Sequence, residues 1–434
     1  MDHRKCMQES LDYIEDHLKT QIDATELADR AGYSLFHYYR LFQLAVGMPV
    51  MQYILRRRLI HTIYEIRCGR KRIDVILEYG FDTYSGFYKA FRREFGCTPS
   101  VFLKKGRAKR PYKLNLYKEE HMNLSRRKAS EILKHWNLEK EPISDIYYDG
   151  SGQKSDNAFY AGEAYILKFT VNREKMKNEI ALSRAMEGAG LMASTPVITA
   201  DGREYVQDGE LFFYVTRRVS GTPMVSHNFY EGDYAAKARF VGEIIGQLHL
   251  ILSRAEILVN DADLYEDVKN WALPKAKEIL SIPESFCREY LEKFGELYNN
   301  LPKQIIHRNP NPSTIIVSQN KWGFIDFELS ERNLRIYDPC YAATAVLCET
   351  YDEKDQEKLR RWVDIYRNII WGYDSVVKLT DEEKRAIPYV VMANQAVCVA
   401  WFSEQEKYAD VFEANKSVTR WLLSVFEELK FSEK

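Results

Sequence analysis

The chain has 434 residues, 45% hydrophobic and 29% charged, with 7 cysteines and a formal net charge of −1. That length allows two or three domains, and the charge content excludes a membrane class. No apolar run approaches the ~20 residues of a membrane span, the polar start Met1-Asp2-His3-Arg4-Lys5 lacks a signal segment, and dispersed cysteines without zinc spacing predict a reducing cytosol.

Counting Lys and Arg against Asp and Glu, residues 1–120 carry +7 and residues 121–434 carry −8, with +10 inside 51–110. A basic module joined to an acidic one points to a nucleic-acid binder with an acidic companion. Up to about Lys105 the apolar period is near 3.6, which predicts an all-α region. It contains two similar units. In the first, Leu27, Ala28 and Ala31 form the inner face of a short helix, and Gly32 suits the turn after it. Ser34 is placed to cap the next helix. There Tyr38, Leu41, Phe42 and Ala45 fall inward, while Phe36, Tyr39, Arg40 and Gln43 fall outward. A helix from about Val50 to Arg67, carrying Arg56-Arg57-Arg58, joins this unit to the second. The second repeats the order: a helix with Ile76-Leu77, Gly80 at the turn, and Asp82 or Thr83 as cap. On its second helix Phe87, Ala90 and Phe91 face inward, and Tyr84, Ser85, Tyr88, Lys89 and Arg92 face outward.

These residues, with Gly47, Tyr53, Arg58-Leu59, Phe95-Gly96 and Thr98-Pro99-Ser100, resemble the DNA-binding domain of AraC/XylS transcription regulators over about residues 8–105. The resemblance implies two helix-turn-helix units that enter successive major grooves about 34 Å apart. It puts Phe36, Tyr39 and Arg40 in the first groove, with Gln43 on the same face. Tyr84, Ser85, Gly86 and Lys89 fall in the second, beside Tyr88. The Arg40 fork matches guanine O6/N7, and Gly86 offers only backbone. Arg56, Arg57 and Arg92 are expected to clamp phosphates or to lie as solvated charges rather than to read sequence. The basic stretch Lys104–Pro111 reads either as a further phosphate contact or as a solvated linker.

An amphipathic helix is predicted over 124–140, opened by Asn123 or Ser125. Strand-like segments come next, at Ile146–Tyr148, Ala158–Tyr160, Ala164–Phe169 and Leu211–Thr216, with a helix from about Arg173 to Gly188 between the last two. From about Tyr230 the chain reads as helical, interrupted by Ile305–Val317 and Gly323–Glu328, a strand-loop-strand unit and a short strand ending in an acid. Expected boundaries are a DNA-binding domain 1–110, a linker and helix 111–140, a small β-rich lobe 141–225 and a large helical lobe 226–434. The fold class is multidomain: an all-α double helix-turn-helix domain followed by a bilobal α+β kinase-like domain.

About residues 125–400 resemble the aminoglycoside phosphotransferase and choline kinase-like family. Ser155 to Tyr160 match its nucleotide loop, which implies nucleotide contacts from Ser155 and Asn157. Lys168 sits where the phosphate-pairing lysine belongs, and Glu179 is spaced to pair with it. Gly246-Gln247-Leu248-His249 and Asp338-Pro339 match flanking motifs. His307 and Asp326 match the catalytic-loop histidine and the metal-binding acid, with Glu328 as a helper. Two residues depart: Asn309 stands where the catalytic Asp is expected, and Thr314 where the metal-binding Asn is expected. A neutral amide cannot accept the substrate proton, a loss worth about 10²–10⁴ in rate. Asn311 stands where many family members have His.

The reading is a cytoplasmic, sequence-specific regulator of double-stranded DNA whose degenerate kinase-fold domain senses a small-molecule effector, with RNA polymerase a candidate partner and no membrane partner. The acidic balance suits a cationic ligand. DNA binding requires no cofactor, and ATP with Mg²⁺ is the cofactor a kinase-like site would take. The alternatives are a bifunctional chain with a weakly active small-molecule phosphotransferase, and a scaffold that binds no ligand.

Overall fold

A computed structural model describes residues 3–117, 124–148, 154–319 and 321–431. They form two compact units, Met1–Val171 with Pro196–Arg218, and Asn172–Thr195 with Val219–Lys434. The first unit thus joins the helical N-terminus and the β-rich segment, which the sequence reads as separate domains.

The first unit opens with seven helices: α1 (His3–Asp16), α2 (Ala24–Arg30), α3 (Leu35–Val46), α4 (Val50–Arg67), α5 (Arg72–Glu78), α6 (Tyr84–Phe95) and α7 (Pro99–Lys104). Their inward faces make two cores. Leu11, Leu27, Tyr38, Phe42, Val50 and Tyr53 fill one, and Leu59, Ile63, Phe87, Phe91 and Phe102 fill the other. Helix α4 contributes to both. After α8 (Arg126–Leu133) come β1 (Ile143–Tyr147), β2 (Lys154–Ala161) and β3 (Tyr165–Thr170). The chain then leaves through α9 (Arg173–Gly188) and returns as β4 (Pro196–Val197), β5 (Val206–Asp208) and β6 (Leu211–Arg217). The strands form one antiparallel sheet in the order β1-β2-β3-β6-β4, with β5 also on β6. Helix α8 and Trp136 cover its apolar face, and the Trp136 indole donates to Val197 O at 2.7 Å. Ser125 caps α8 through Lys128 N, while Asn123 lies outside the described residues.

The three consecutive arginines of α4 point about 100° apart around the helix, so each meets a different neighbour. Arg56 pairs with Glu94 of α6 at 2.7 Å. Arg57 donates to Glu15 of α1 at 2.8 Å and to Tyr112 O at 2.7 Å. Arg58 donates to Leu18 O and Thr20 O at 2.9 and 2.6 Å. The segment after α7 is likewise engaged. Ala108 O accepts from Arg67 at 2.6 Å, Gln8 donates to Leu114 O and accepts from Leu116 N, and Leu114 and Leu116 are buried in the α1–α3 core. This strap, 107–117, is packed rather than a solvated linker.

The second unit holds α9, β7 (Thr222–Pro223), α10 (Tyr234–Leu252), α11 (Leu264–Asp267), α12 (Leu273–Leu280), α13 (Glu284–Tyr298), β8 (Lys303–Ile306), β9 (Ile315–Ser318), β10 (Lys321–Phe324), β11 (Glu331–Leu334), α14 (Tyr337–Thr350), α15 (Gln356–Val376), α16 (Asp381–Ser403) and α17 (Ala409–Ser424). β8 pairs with β11, and β9 with β10 and β7, so the expected strand-loop-strand unit spans two small sheets. Helices α10 and α15 pack in close contact. A Cβ on Gly242 would sit 1.9 Å from Ile369 O, and one on Gly372 would sit 2.1 Å from Arg239 O. Glycine at both positions is what lets the two backbones approach. α16 begins with a capping box between Thr380 and Glu383. By length and composition it could cross a membrane, but 67% of its apolar window is buried inside the fold. After its charged start, Asp381 to Arg385, the apolar stretch is only 18 residues long and is broken by Asn394 and Gln395.

Glu15 is the test of the first unit's interior. Its side chain is 2% exposed. Burial pushes its carboxyl up, but the bonds to His61 and Arg57 outweigh burial and hold it at about 2. A carboxyl depressed in the folded state stabilises above its unfolded value of ~4.3, and the contribution of about 3 kcal/mol is lost as the pH falls toward the folded value. Urea denaturation of the full chain should show the first unit losing stability between about pH 4.5 and 2. In Glu15→Gln that slope should flatten, and removing one partner of the buried pair should cost about 3–5 kcal/mol at neutral pH.

Candidate nucleic-acid interface and kinase-like loop

The two helix-turn-helix units are built alike. Gly32 and Gly80 take φ 73° and 78° in the turns, a region that favours glycine. Ser34 Oγ accepts from His37 N at 3.4 Å, and Thr83 Oγ1 from Gly86 N at 3.0 Å, which caps α3 and α6. Gly47 and Gly96, also at positive φ, end the two helices. On α3, Phe36 is 79% exposed, Arg40 and Gln43 are exposed, and Tyr39 is half-buried. On α6, Tyr84, Ser85, Gly86, Lys89 and Arg92 are exposed and Tyr88 is half-buried. Each helix therefore presents an outward row of aromatic, polar and basic groups that suits a major groove.

Three of the expected DNA contacts need correction. Arg56 and Arg57 are not phosphate clamps, because their guanidinium groups are buried against Glu94 and Glu15. Counting charge along α4 could not reveal this, since their carboxylate partners lie on other helices. Gly86 has no backbone donor to offer, because its N–H already caps on Thr83.

In the second unit one buried carboxylate organises the loop after β8. Asp338, at the start of α14, is 0% exposed. Its Oδ2 accepts from His307 N at 2.8 Å and from His249 Nε2 at 2.9 Å, and its Oδ1 accepts from Arg308 N at 2.9 Å. Tyr373 hydroxyl sits 2.8 Å from the other His249 nitrogen. His307 Nδ1 accepts from Asn309 N, which leaves Nε2–H to donate to Ile325 O at 3.0 Å. Burial pushes His307 down from its ordinary pKa, consistent with a neutral ring. Arg308 and Asp326 take φ 70° and 73°, a left-handed conformation that costs about 1–3 kcal/mol and clusters at functional sites. Arg308 is held by its N–H bond to Asp338 and by Glu331 at 2.9 Å from its Nε. Sequence reasoning missed this pair, which no motif marks.

At the two departing positions the side chains are turned to the loop itself. Asn309 Oδ1 accepts from Asn311 Nδ2 at 2.9 Å, and Asn311 Oδ1 accepts from Ser313 N at 2.9 Å. Thr314 is 4% exposed and its hydroxyl faces Asn309 O and Asn311 O at 3.0 and 2.9 Å. Its hydroxyl is thus engaged by the loop's own carbonyls rather than turned outward as a metal ligand. Glu179 of α9, Asp326 and Glu328 do converge, with carboxylate oxygens all within 4.8 Å of one another. Hard oxygen donors in that number suit a divalent cation such as Mg²⁺. In the first unit Lys168 is half-buried on β3, in register with Ala158 and Tyr214. Ser155 is 3% exposed and its hydroxyl donates to Asn157 Oδ1 at 3.1 Å, so the sheet interior, not a ligand, claims Ser155; Asn157 is half-buried.

Comparison with known proteins agrees with both halves. Residues 27–105 match a helix-turn-helix domain, and residues 149–387, more than half of the chain, match the phosphotransferase enzyme family. The HTH-type transcriptional activator AarP of Providencia stuartii is 35% identical over 95 residues, 22% of this chain and 70% of AarP. The regulatory protein SoxS of Salmonella typhimurium is 30% identical over 103 residues, 24% of this chain and 96% of SoxS. Among solved structures, a microcompartment-associated aminopropanol kinase shares the fold with TM-score 0.50 and 16% identity, over 69% of this chain and 95% of that one. The chain belongs to the AraC-type helix-turn-helix regulators through its N-terminal domain and to the phosphotransferase enzyme family through most of the remainder.

Proposed function

We propose that the protein is a cytoplasmic transcription regulator that reads double-stranded DNA with α3 and α6 and senses a small molecule with its kinase-fold domain. The observation that carries the reading is the contrast between the two halves. The outward rows of α3 and α6 keep Phe36, Arg40, Tyr84, Lys89 and Arg92 exposed, while Asn309 and Thr314 replace the catalytic carboxylate and metal-binding amide and turn to the loop itself. Asn309 cannot take up a proton, so a kinase step there lacks its base. RNA polymerase would be a further partner if this chain activates transcription, as the name of AarP says of that protein.

A second reading, a bifunctional chain with residual phosphotransferase activity, draws on the Glu179, Asp326 and Glu328 carboxylates. Phosphoryl transfer depends on positioning and charge more than on a base. Bound Mg²⁺ would neutralise phosphate charge, and these three side chains are the ones that would hold it.

Two measurements test the proposal. On DNA selected from a random pool, Arg40→Ala and Lys89→Ala should each weaken specific binding by about 1–3 kcal/mol; unchanged affinity in both variants removes α3 and α6 from DNA reading. Calorimetric titration of Mg-ATP into the full chain should show micromolar binding that Asp326→Ala abolishes, without ADP release across a panel of amines. Amine-dependent ADP release that disappears in Asp326→Ala would favour the bifunctional reading instead. No binding would mean that the domain takes a ligand other than a nucleotide or acts as a scaffold.

A further inference from the structure

Within the first unit the helix-turn-helix region and the small sheet meet at one buried carboxylate. Asp145 of β1 has a side chain 3% exposed. Its Oδ2 lies 3.7 Å from Arg56 Nη2 of α4 and 3.2 Å from Arg126 Nη2 of α8, and its Oδ1 lies 3.4 Å from Lys154 Nζ at the start of β2. Arg56 also holds Glu94, near the end of α6, at 2.7 Å and lies 5.4 Å from the Phe95 ring centre. Burial works against the Asp145 charge, but Lys154, Arg56 and Arg126 outweigh it and keep the carboxyl at about 2. Beside this cluster Tyr147 of β1 takes Phe102 edge-on at 5.8 Å and the Arg107 guanidinium over its face at 4.2 Å.

Two features set this contact apart from passive packing. It is charged and centred on a buried carboxylate, so its members depend on one another: removing Asp145 leaves Arg56 and Lys154 short of a buried partner. It also joins two elements that carry recognition residues. Glu94 is on the helix that presents Tyr84, Ser85 and Lys89, and β2 carries the half-buried Asn157 three residues beyond Lys154. Among the described residues, the first helix-turn-helix unit makes no such charged contact with the sheet.

We propose that Asp145 is a coupling residue through which the small sheet sets the ordering of the second DNA-reading helix, the path running from Lys154 through Asp145 and Arg56 to Glu94. A ligand that shifts the start of β2 would then alter reading of the second half-site and leave the first alone. The consequence for DNA rests on the regulatory reading above; the coupling itself does not.

The test is amide hydrogen exchange on the full chain, comparing wild type with Asp145→Asn, Lys154→Met, Glu94→Gln and the Asp145→Asn/Glu94→Gln double variant. Exchange within Tyr84–Phe95 should rise roughly tenfold in Asp145→Asn and detectably in Lys154→Met, with Leu35–Val46 unchanged, a factor within the usual range for coupled sites. The double variant should add little to either single change, because both break one path. Equal exchange of α6 in wild type, Asp145→Asn and Lys154→Met overturns the proposal. Lys154→Met leaves Asp145 paired with Arg56 and Arg126, so it still decides the matter if Asp145→Asn fails to fold. As a second readout, DNA selected by the two variants should lose base preference in the half-site read by α6 and keep it in the other. Loss in both halves together would mean general destabilisation and would overturn the coupling. A wild-type chain that selects no sequence would sink DNA reading, while the exchange comparison would still settle the coupling.

Discussion

The buried carboxylate of Asp338 is the constraint on which the C-terminal unit depends. It gathers two consecutive backbone N–H groups, those of His307 and Arg308, and one imidazole donor, His249, from two other parts of the chain. A charge with no exposure is tolerable only when its lone pairs are filled, so β8, α10 and α14 are tied to one another through it. The bonds that anchor the start of the loop thus come from outside positions 309 and 314, whose own bonds lie within the loop. The loop can exchange its catalytic carboxylate for an amide and still keep its path, because the groups that perform chemistry and those that hold the backbone are different ones.

A similar division runs through the N-terminal unit. Helix α4 places three guanidinium groups in three directions and each holds a separate neighbour. The helix joining the two DNA-reading units is therefore braced on every side by charge-assisted bonds, which are stronger than neutral ones. The recognition helices keep exposed cations of their own, among them Arg40, Lys89 and Arg92.

Much of this was legible in the chain. The glycine turns, the caps at Ser34 and Thr83 and the alternation of inward Phe42, Phe87 and Phe91 with outward Phe36 and Tyr84 obey local rules, and the structure has them. Long-range pairing could not be read. Arg56 and Arg57 look like surface cations until Glu94 and Glu15 are brought beside them. Ser155 looks like a loop hydroxyl until strand register turns it inward. The buried state of Thr314 depends on the loop folding back on its own carbonyls. The apolar run of α16 is broken by Asn394 and Gln395, which look like surface amides until the fold buries them. Periodicity reports which face of an element is apolar, and only topology reports what that face or a charge at its edge will meet.

The strap at 107–117 bears on how separable the two families are within this chain. It supplies carbonyl acceptors to Arg57 and Arg67 and two apolar side chains, Leu114 and Leu116, to the core beneath α1. The DNA-binding fold is thus not finished where its family pattern ends. Cutting at Lys105 would leave two arginines short of acceptors and open an apolar trough on α1. The domain is not a cassette that could be transplanted by its motif limits, because its last structural piece belongs to the connection toward the phosphotransferase half.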